Sequence, residues 1–144
     1  MENGRILTVD TVVVGSGAAG YSAACRLREM GKKSVALVTE DINCGTSRNT
    51  GSDKQTYYKL SLASETPDSV RAMARTLHAG GAHGDIALVE AAGSARAFSY
   101  LAELGVPFAR NRYGEFVGYK TDHDPLERAS SAGPLTSRYM VERL

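Results

Sequence analysis

"VVVGSGAAGYSAA", Val12 to Ala24, carries the decisive signal of this chain. Three β-branched residues run into a turn with glycines at 15, 17 and 20, followed by small residues that suit a tightly packed helix. Val9 to Val14 is a short apolar run, interrupted by Asp10 and Thr11, and reads as a buried strand. After the glycines, Ala19, Ala23, Leu27 and Met30 recur at helical spacing, and Gly31 supplies a stop. Ser34 to Thr39, "SVALVT", is a second apolar strand ending at Glu40. Strand, helix and strand within about 30 residues make a βαβ unit with parallel strands and a right-handed crossover.

Each glycine has a mechanical task in such a unit. Gly15 permits the tight turn out of the strand. Gly17 lacks a Cβ, so main chain can approach a pyrophosphate closely. Gly20 lets the helix lie against the strands. The N–H groups around Ser16 to Ala19 then face the phosphates with the helix dipole behind them. Glu40, twenty positions after Gly20, ends the second strand. A carboxylate there accepts hydrogen bonds from both ribose hydroxyls of an adenosine and repels a 2′-phosphate, which argues against NADP. The spacing therefore points to an adenine dinucleotide, FAD or NAD.

The rest of the chain bounds the answer. Its 144 residues, 42% of them hydrophobic, suffice for a modest globular domain. Seventeen basic and sixteen acidic residues leave +1, so no global field draws the chain to nucleic acid or to an anionic membrane. No apolar run approaches the roughly 20 residues of a membrane span, and "MENGRILTVD" has no hydrophobic core of signal-peptide length. Cys25 and Cys44 form no CxxC pattern and fit reduced thiols of a cytoplasmic protein better than a disulfide or a zinc site. His78 reads as a structural residue near a helix end, and His83 as a loop residue. Asp122, His123 and Asp124 are consecutive and diverge in an extended loop, so no metal site is expected.

From Asp41 to Glu65 the chain is polar and rich in Gly, Ser, Thr and Asn, a loop with room for a short helix near Gln55 to Leu62. Such a loop offers many N–H groups and hydroxyls to a long polar cofactor, although a solvated loop has the same composition. Thr66 reads as an N-cap with Pro67 at the first helical position. Val70, Met73, Ala74 and Leu77 define that helix, and Gly80-Gly81 ends it. Asp85 opens another, with Leu88, Ala91, Ala95, Phe98 and Leu101 on one face and Gly105 as the stop. "FARNRYGEFVGY" suggests a hairpin turning near Tyr113-Gly114, "TDHDPLERASSAGP" a loop, and Leu135 to Leu144 a last helix.

"DTVVVGSGAAGYSAACRLREMGKKSVALVTE" followed by "CGTSRNTG" resembles the start of the fumarate reductase and succinate dehydrogenase flavoprotein family, which includes L-aspartate oxidase. "MARTLHAGGAHGDIALVEAAGSARAFSYLAELGVPFAR" is similar to that family's two helices leading into a "G-[VL]-P-F" turn. "RASSAGPLTSRYMVERL" resembles its "R-x-A-A-A-D-x-T-G-x-x-L" segment. The likeness covers essentially the whole chain in order. It implies an α/β, Rossmann-like FAD-binding domain with a glutathione-reductase-like βαβ start, incomplete, with inserted helices. The expected organisation over 1–144 is a βαβ core at about 9–40, a cofactor loop at 41–65 and a helical insertion at 66–144. The capping and substrate domain is not expected within this segment.

Carried across, the resemblance implies pyrophosphate contacts at Gly15, Ser16, Gly17, Ala18 and Ala19, with Gly20 completing the turn. It implies ribose contact at Glu40 and flavin-side contacts among Thr46, Ser47, Thr50, Gly51 and Ser52. Membrane-complex members tether the flavin through a histidine in "R-S-H-T". Asn49 falls there in "S-R-N-T", so FAD is expected to be noncovalent. "GPLTS", with Thr136 and Ser137, departs from "D-x-T-G". Arg48 reads equally as a contact to a cofactor phosphate or substrate carboxylate and as an exposed ion pair. Tyr57, Tyr58 and Lys59 are expected to pack where the loop returns.

The family's substrate and proton-donating residues lie downstream of these segments, so none is nominated as catalytic. The chain reads as the N-terminal part of a larger flavin-dependent oxidoreductase that exchanges hydride with a small carboxylate. The expected partner is the remainder of that enzyme or a second chain. L-aspartate oxidase-type amine oxidation is the near alternative. A non-catalytic nucleotide-binding or assembly chain, completed by a partner chain, is the alternative of a different class.

Overall fold

The computed structural model describes residues 6–52, 54–62 and 67–144. The βαβ unit forms as the periodicity requires. Strand β1 (Thr11–Val14) leads through the glycines into helix α1 (Ala18–Glu29) and then into β2 (Val35–Val38). The strands pair in parallel, Thr11 opposite Val35 through Val14 opposite Val38. Gly31, at φ 82°, takes the left-handed conformation just past the end of α1. This layer is thin. No residue of α1 is buried, and Val12, Val14 and Val38 are more than half exposed.

The remaining elements are α2 (Thr46–Asn49), β3 (Tyr57–Tyr58), α3 (Val70–Ala79), α4 (Gly84–Glu103), β4 (Tyr119–Thr121), β5 (Asp124–Ser130) and α5 (Thr136–Arg143). Two expectations are corrected here. The segment Gln55 to Leu62 holds strand β3 instead of a helix, because Tyr57 and Tyr58 pair antiparallel with Ser130 and Ala129. "TDHDPLERASSAGP" supplies β5 and not a loop, in a second sheet ordered β3-β5-β4. Its signal was hidden because β5 lacks apolar alternation. Asp124, Arg128, Ala129 and Ser130 are all buried, and their polar groups are satisfied within the fold. The segment 66–144 is therefore helical only in part.

Two boundaries also move. Helix α3 is capped by Ser69, whose hydroxyl accepts the Ala72 N–H at 3.1 Å, so the helix starts three residues beyond Pro67. The Thr66 cap expected from sequence lies outside the described residues. On α4 the buried face is Ala87, Ala91, Ser94, Phe98 and Leu101, while Leu88 is half exposed. The turn at Tyr113-Gly114 forms as expected, with Arg110 bridging Phe116 and Gly114 at φ 86°.

The core gathers where α4 meets the second sheet. Phe98, fully buried, stacks 4.4 Å from Phe108 and meets Phe116 edge-on at 4.8 Å. Tyr57 joins at 5.8 Å from Phe98, and the Lys59 ammonium lies 4.7 Å over the same ring. Burial of a side chain the size of Phe98 contributes about 2–3 kcal/mol. Lys59 is only 2% exposed, and burial lowers its pKa. Beside it a polar network ties α3 to β5. Arg128 bonds both oxygens of Asp68, at 2.7 and 2.9 Å, and reaches Asp124, the Tyr58 hydroxyl and Thr76.

Candidate cofactor site

The glycine turn is built by close approach. Gly15 sits at φ 100°, and its N–H donates to the Val38 carbonyl at 2.8 Å, tying the tip of β1 to the end of β2. A Cβ on Gly20 would lie 1.9 Å from the Gly15 carbonyl oxygen, so only glycine lets α1 leave the turn at this angle. Helix α1 begins with the Tyr21 N–H on the Gly17 carbonyl. Among the described residues, the N–H groups of Ser16, Gly17, Ala19 and Gly20 have no acceptor. The first turn of α1 carries no acidic side chain. Free main-chain donors at a helix start, with the dipole behind them and no carboxylate in front, suit a diphosphate.

The cofactor loop locks onto this turn. The Ser47 hydroxyl accepts the Ala18 N–H at 3.2 Å and lies 3.5 Å from where a Cβ on Gly17 would stand. A Cβ on Gly45 would lie 2.4 Å from the Ser16 carbonyl oxygen, so the two loops touch backbone to backbone. Ser16 itself is buried. Its hydroxyl lies 2.9 Å from that of Thr39, and both donate to the Asp41 carbonyl, at 3.2 and 3.1 Å. The Ser16 side chain thus braces the loop, while its N–H has no acceptor among the described residues. Glu40, between these two partners of Ser16, is exposed and stands two residues past Val38.

The flavin-side candidates divide. Thr46 and Ser47 open α2, next to the glycine turn. Thr50, Gly51 and Ser52 line an open cleft of about 430 Å³ together with Pro134, Leu135 and Arg138. Asn49 is turned into its own loop, its amide donating to the carbonyls of Asn43 and Gly45 at 2.5 and 3.0 Å. Arg48 forms an ion pair with Glu142 at 2.5 Å, and Arg138 reaches the same oxygen at 2.9 Å. Arg138 and then Arg48 hold Glu142 below the usual carboxylate range. Asp124 of the Asp-His-Asp run is committed to Arg128.

Sequence reasoning passed over Thr39, Gly45 and Gln55. Gly45 was within the quoted "CGTSRNTG", but its reason, contact with Ser16, joins positions far apart in the chain. Gln55 was read as the start of a helix; its side chain instead bonds Ser137.

Glycine turn, free donors and a docked polar loop define an α/β dinucleotide-binding domain of the flavoprotein kind. The chain belongs to the FAD binding domain family, which it matches over residues 10–140, and FAD is the cofactor this membership supports. Its fold is shared with the quinol fumarate reductase FrdA of E. coli, at TM-score 0.77 and 19% identity, over 95% of this chain and 23% of that one. The Sdh1 complex of Mycobacterium smegmatis in its apo form aligns at TM-score 0.83 and 22% identity, over 94% and 23%. The 3-ketosteroid-Δ4-(5α)-dehydrogenase of Rhodococcus jostii RHA1 aligns at 0.70 and 16%, over 97% and 35%. The chain thus spans about a quarter to a third of the length of these solved proteins. No curated protein matches it in sequence. Among the described residues, no helix is long and apolar enough to cross a membrane.

Proposed function

We propose that this chain grips FAD for a flavin-dependent oxidoreductase, through main-chain donors at Ser16, Gly17 and Ala19 and through Glu40 on the adenosine ribose, while Gly15 and Ala18, whose own N–H groups are held by Val38 and Ser47, shape the turn. The observation that carries this reading is the set of N–H groups at Ser16, Gly17, Ala19 and Gly20 that no described residue accepts, at the head of a helix without an acidic first turn. The exit of β2, bonded to Gly15, supports Glu40 as the ribose acceptor, since it lies two residues further along. Thr46, Ser47, Thr50, Gly51 and Ser52 are the flavin-side candidates. FAD, when bound, supplies two-electron hydride chemistry. This chain's residues hold the diphosphate and sugar and set where the ring end lies.

Attachment is noncovalent in this reading. Asn49 is no nucleophile, and its amide is occupied by two carbonyls. The substrate proposed for the whole enzyme is a small carboxylate, oxidised or reduced at the carbon beside the activated bond. The apolar side chains exposed on the βαβ sheet support a partner surface there, either the remainder of the enzyme or another chain. The two free thiols support a cytoplasmic location. A visible absorbance scan of the purified protein tests the cofactor reading. Flavin bands near one per chain are expected, and colourless protein that binds NAD in place of FAD would overturn it.

A further inference from the structure

A side-chain strap joins the cofactor loop to the start of α5. The Gln55 amide nitrogen donates to the Ser137 hydroxyl at 2.7 Å, and the Gln55 carbonyl oxygen accepts the Ser137 N–H at 3.0 Å. The Ser137 hydroxyl passes its own proton on to the Thr50 carbonyl at 3.2 Å. The Ser131 hydroxyl donates to the Gln55 main-chain carbonyl at 2.9 Å, and the Gln55 N–H returns to the Ser52 carbonyl at 3.1 Å. Between these bonds the backbones nearly touch, for a Cβ on Gly51 would lie 2.7 Å from the Pro134 carbonyl oxygen. The partners are more than 75 positions apart in sequence, so the contact is tertiary and not a local turn.

We infer that Gln55 is a positioning residue for the flavin end of the cofactor. It fixes Thr50, Gly51 and Ser52 against α5 without touching the cofactor itself. The inference rests on the FAD reading above. Its chemistry is directional. Ser137 has one hydroxyl proton, and Thr50 receives it only because Gln55 offers N–H in return. A carboxylate at position 55 still accepts from the Ser137 N–H but also draws the hydroxyl proton, so the Thr50 carbonyl loses its donor. A carboxylate is nearly the same size as the amide, which separates the direction of the bonds from packing.

Gln55→Ala, Gln55→Glu and Ser137→Ala, made in the whole protein, are titrated with FAD by flavin fluorescence and scanned in the visible. Each is expected to bind FAD about tenfold more weakly than wild type and to shift the flavin bands, as the ring surroundings loosen. Thermal unfolding midpoints of the FAD-free proteins are expected to stay close to wild type, because the strap is a partly exposed surface contact. Ser137→Ala carries the test if a Gln55 variant does not fold. Wild-type affinity and an unshifted spectrum in Gln55→Glu and Ser137→Ala overturn the strap while leaving the cofactor reading intact. Failure of the wild type to take up FAD overturns both.

Discussion

The Ser47 hydroxyl accepts the Ala18 N–H at 3.2 Å, so the short helix α2 caps α1 across 29 residues of chain. One of the donors orphaned at the start of α1 is thereby satisfied in trans, and its neighbours keep their places for an anion. The glycine turn and the polar loop after β2 are tied together by this bond. Ser47→Ala leaves the Ala18 N–H without its acceptor. The FAD-free protein is expected to lose about 1 kcal/mol, as for removal of a helix cap, read from the midpoint of urea unfolding.

Gly20 and Gly45 tolerate no side chain. Their added Cβ atoms would stand 1.9 and 2.4 Å from main-chain oxygens of Gly15 and Ser16, which cannot swing aside as a side chain can. Gly20→Ala and Gly45→Ala are each expected to cost about 2–3 kcal/mol of stability and to abolish FAD binding at micromolar concentration. Gly93→Ala is the control. Its Cβ would meet nothing within 4 Å and it sits in the interior of α4, so stability is expected to rise by about 0.5–1 kcal/mol while FAD uptake matches wild type.

Noncovalent attachment predicts complete release. Protein loaded with FAD and precipitated with acid is expected to leave its flavin in the supernatant and a colourless pellet. Yellow retained in the washed pellet contradicts the role given to Asn49.

The buried network sets the acid limit of stability. Hydrogen bonding from Arg128 is the leading cause that lowers the Asp68 carboxyl from the ordinary 3.8 to about 2. A carboxyl whose pKa is lower folded than unfolded stabilises the fold above its unfolded value. That contribution fades as pH falls through the window from about 4 to about 2. Its size is about 2 kcal/mol. Urea unfolding of wild type at pH 5 and at pH 2.5 is expected to show about two thirds of this loss, since pH 2.5 still lies above the folded value. Asp68→Asn is expected to start lower at pH 5 and to lack that part of the slope.

How much of this was legible in sequence follows from the range of each interaction. The βαβ unit was readable because its signals are local: β-branched runs, helical spacing and glycines at 15, 17 and 20. The hairpin near Gly114 was local in the same way. Strands β3 and β5 were not readable. Tyr57-Tyr58 is two residues long, and β5 buries Asp124 and Arg128, whose burial makes sense only once Asp68 and Tyr58 arrive from elsewhere. The cap of α3 is Ser69, three positions beyond the Thr66 expected from sequence, because its hydroxyl is the one that accepts the Ala72 N–H. At the site, Gly15, Gly17 and Gly20 announced themselves, whereas Gly45 and Gln55 derive their roles from Ser16 and Ser137, contacts no periodicity encodes.

The central claim is that main-chain amides at the head of α1 hold a diphosphate linked to adenosine. Competition between FAD and ADP for the purified protein, followed by flavin fluorescence, tests it most directly. ADP carries the diphosphate and sugar but no ring, so it is expected to displace FAD fully and competitively. FMN, which lacks both the second phosphate and the adenosine, is expected to compete at least about a hundredfold more weakly. FMN displacing FAD as well as ADP does, or ADP failing to displace it, would contradict the account.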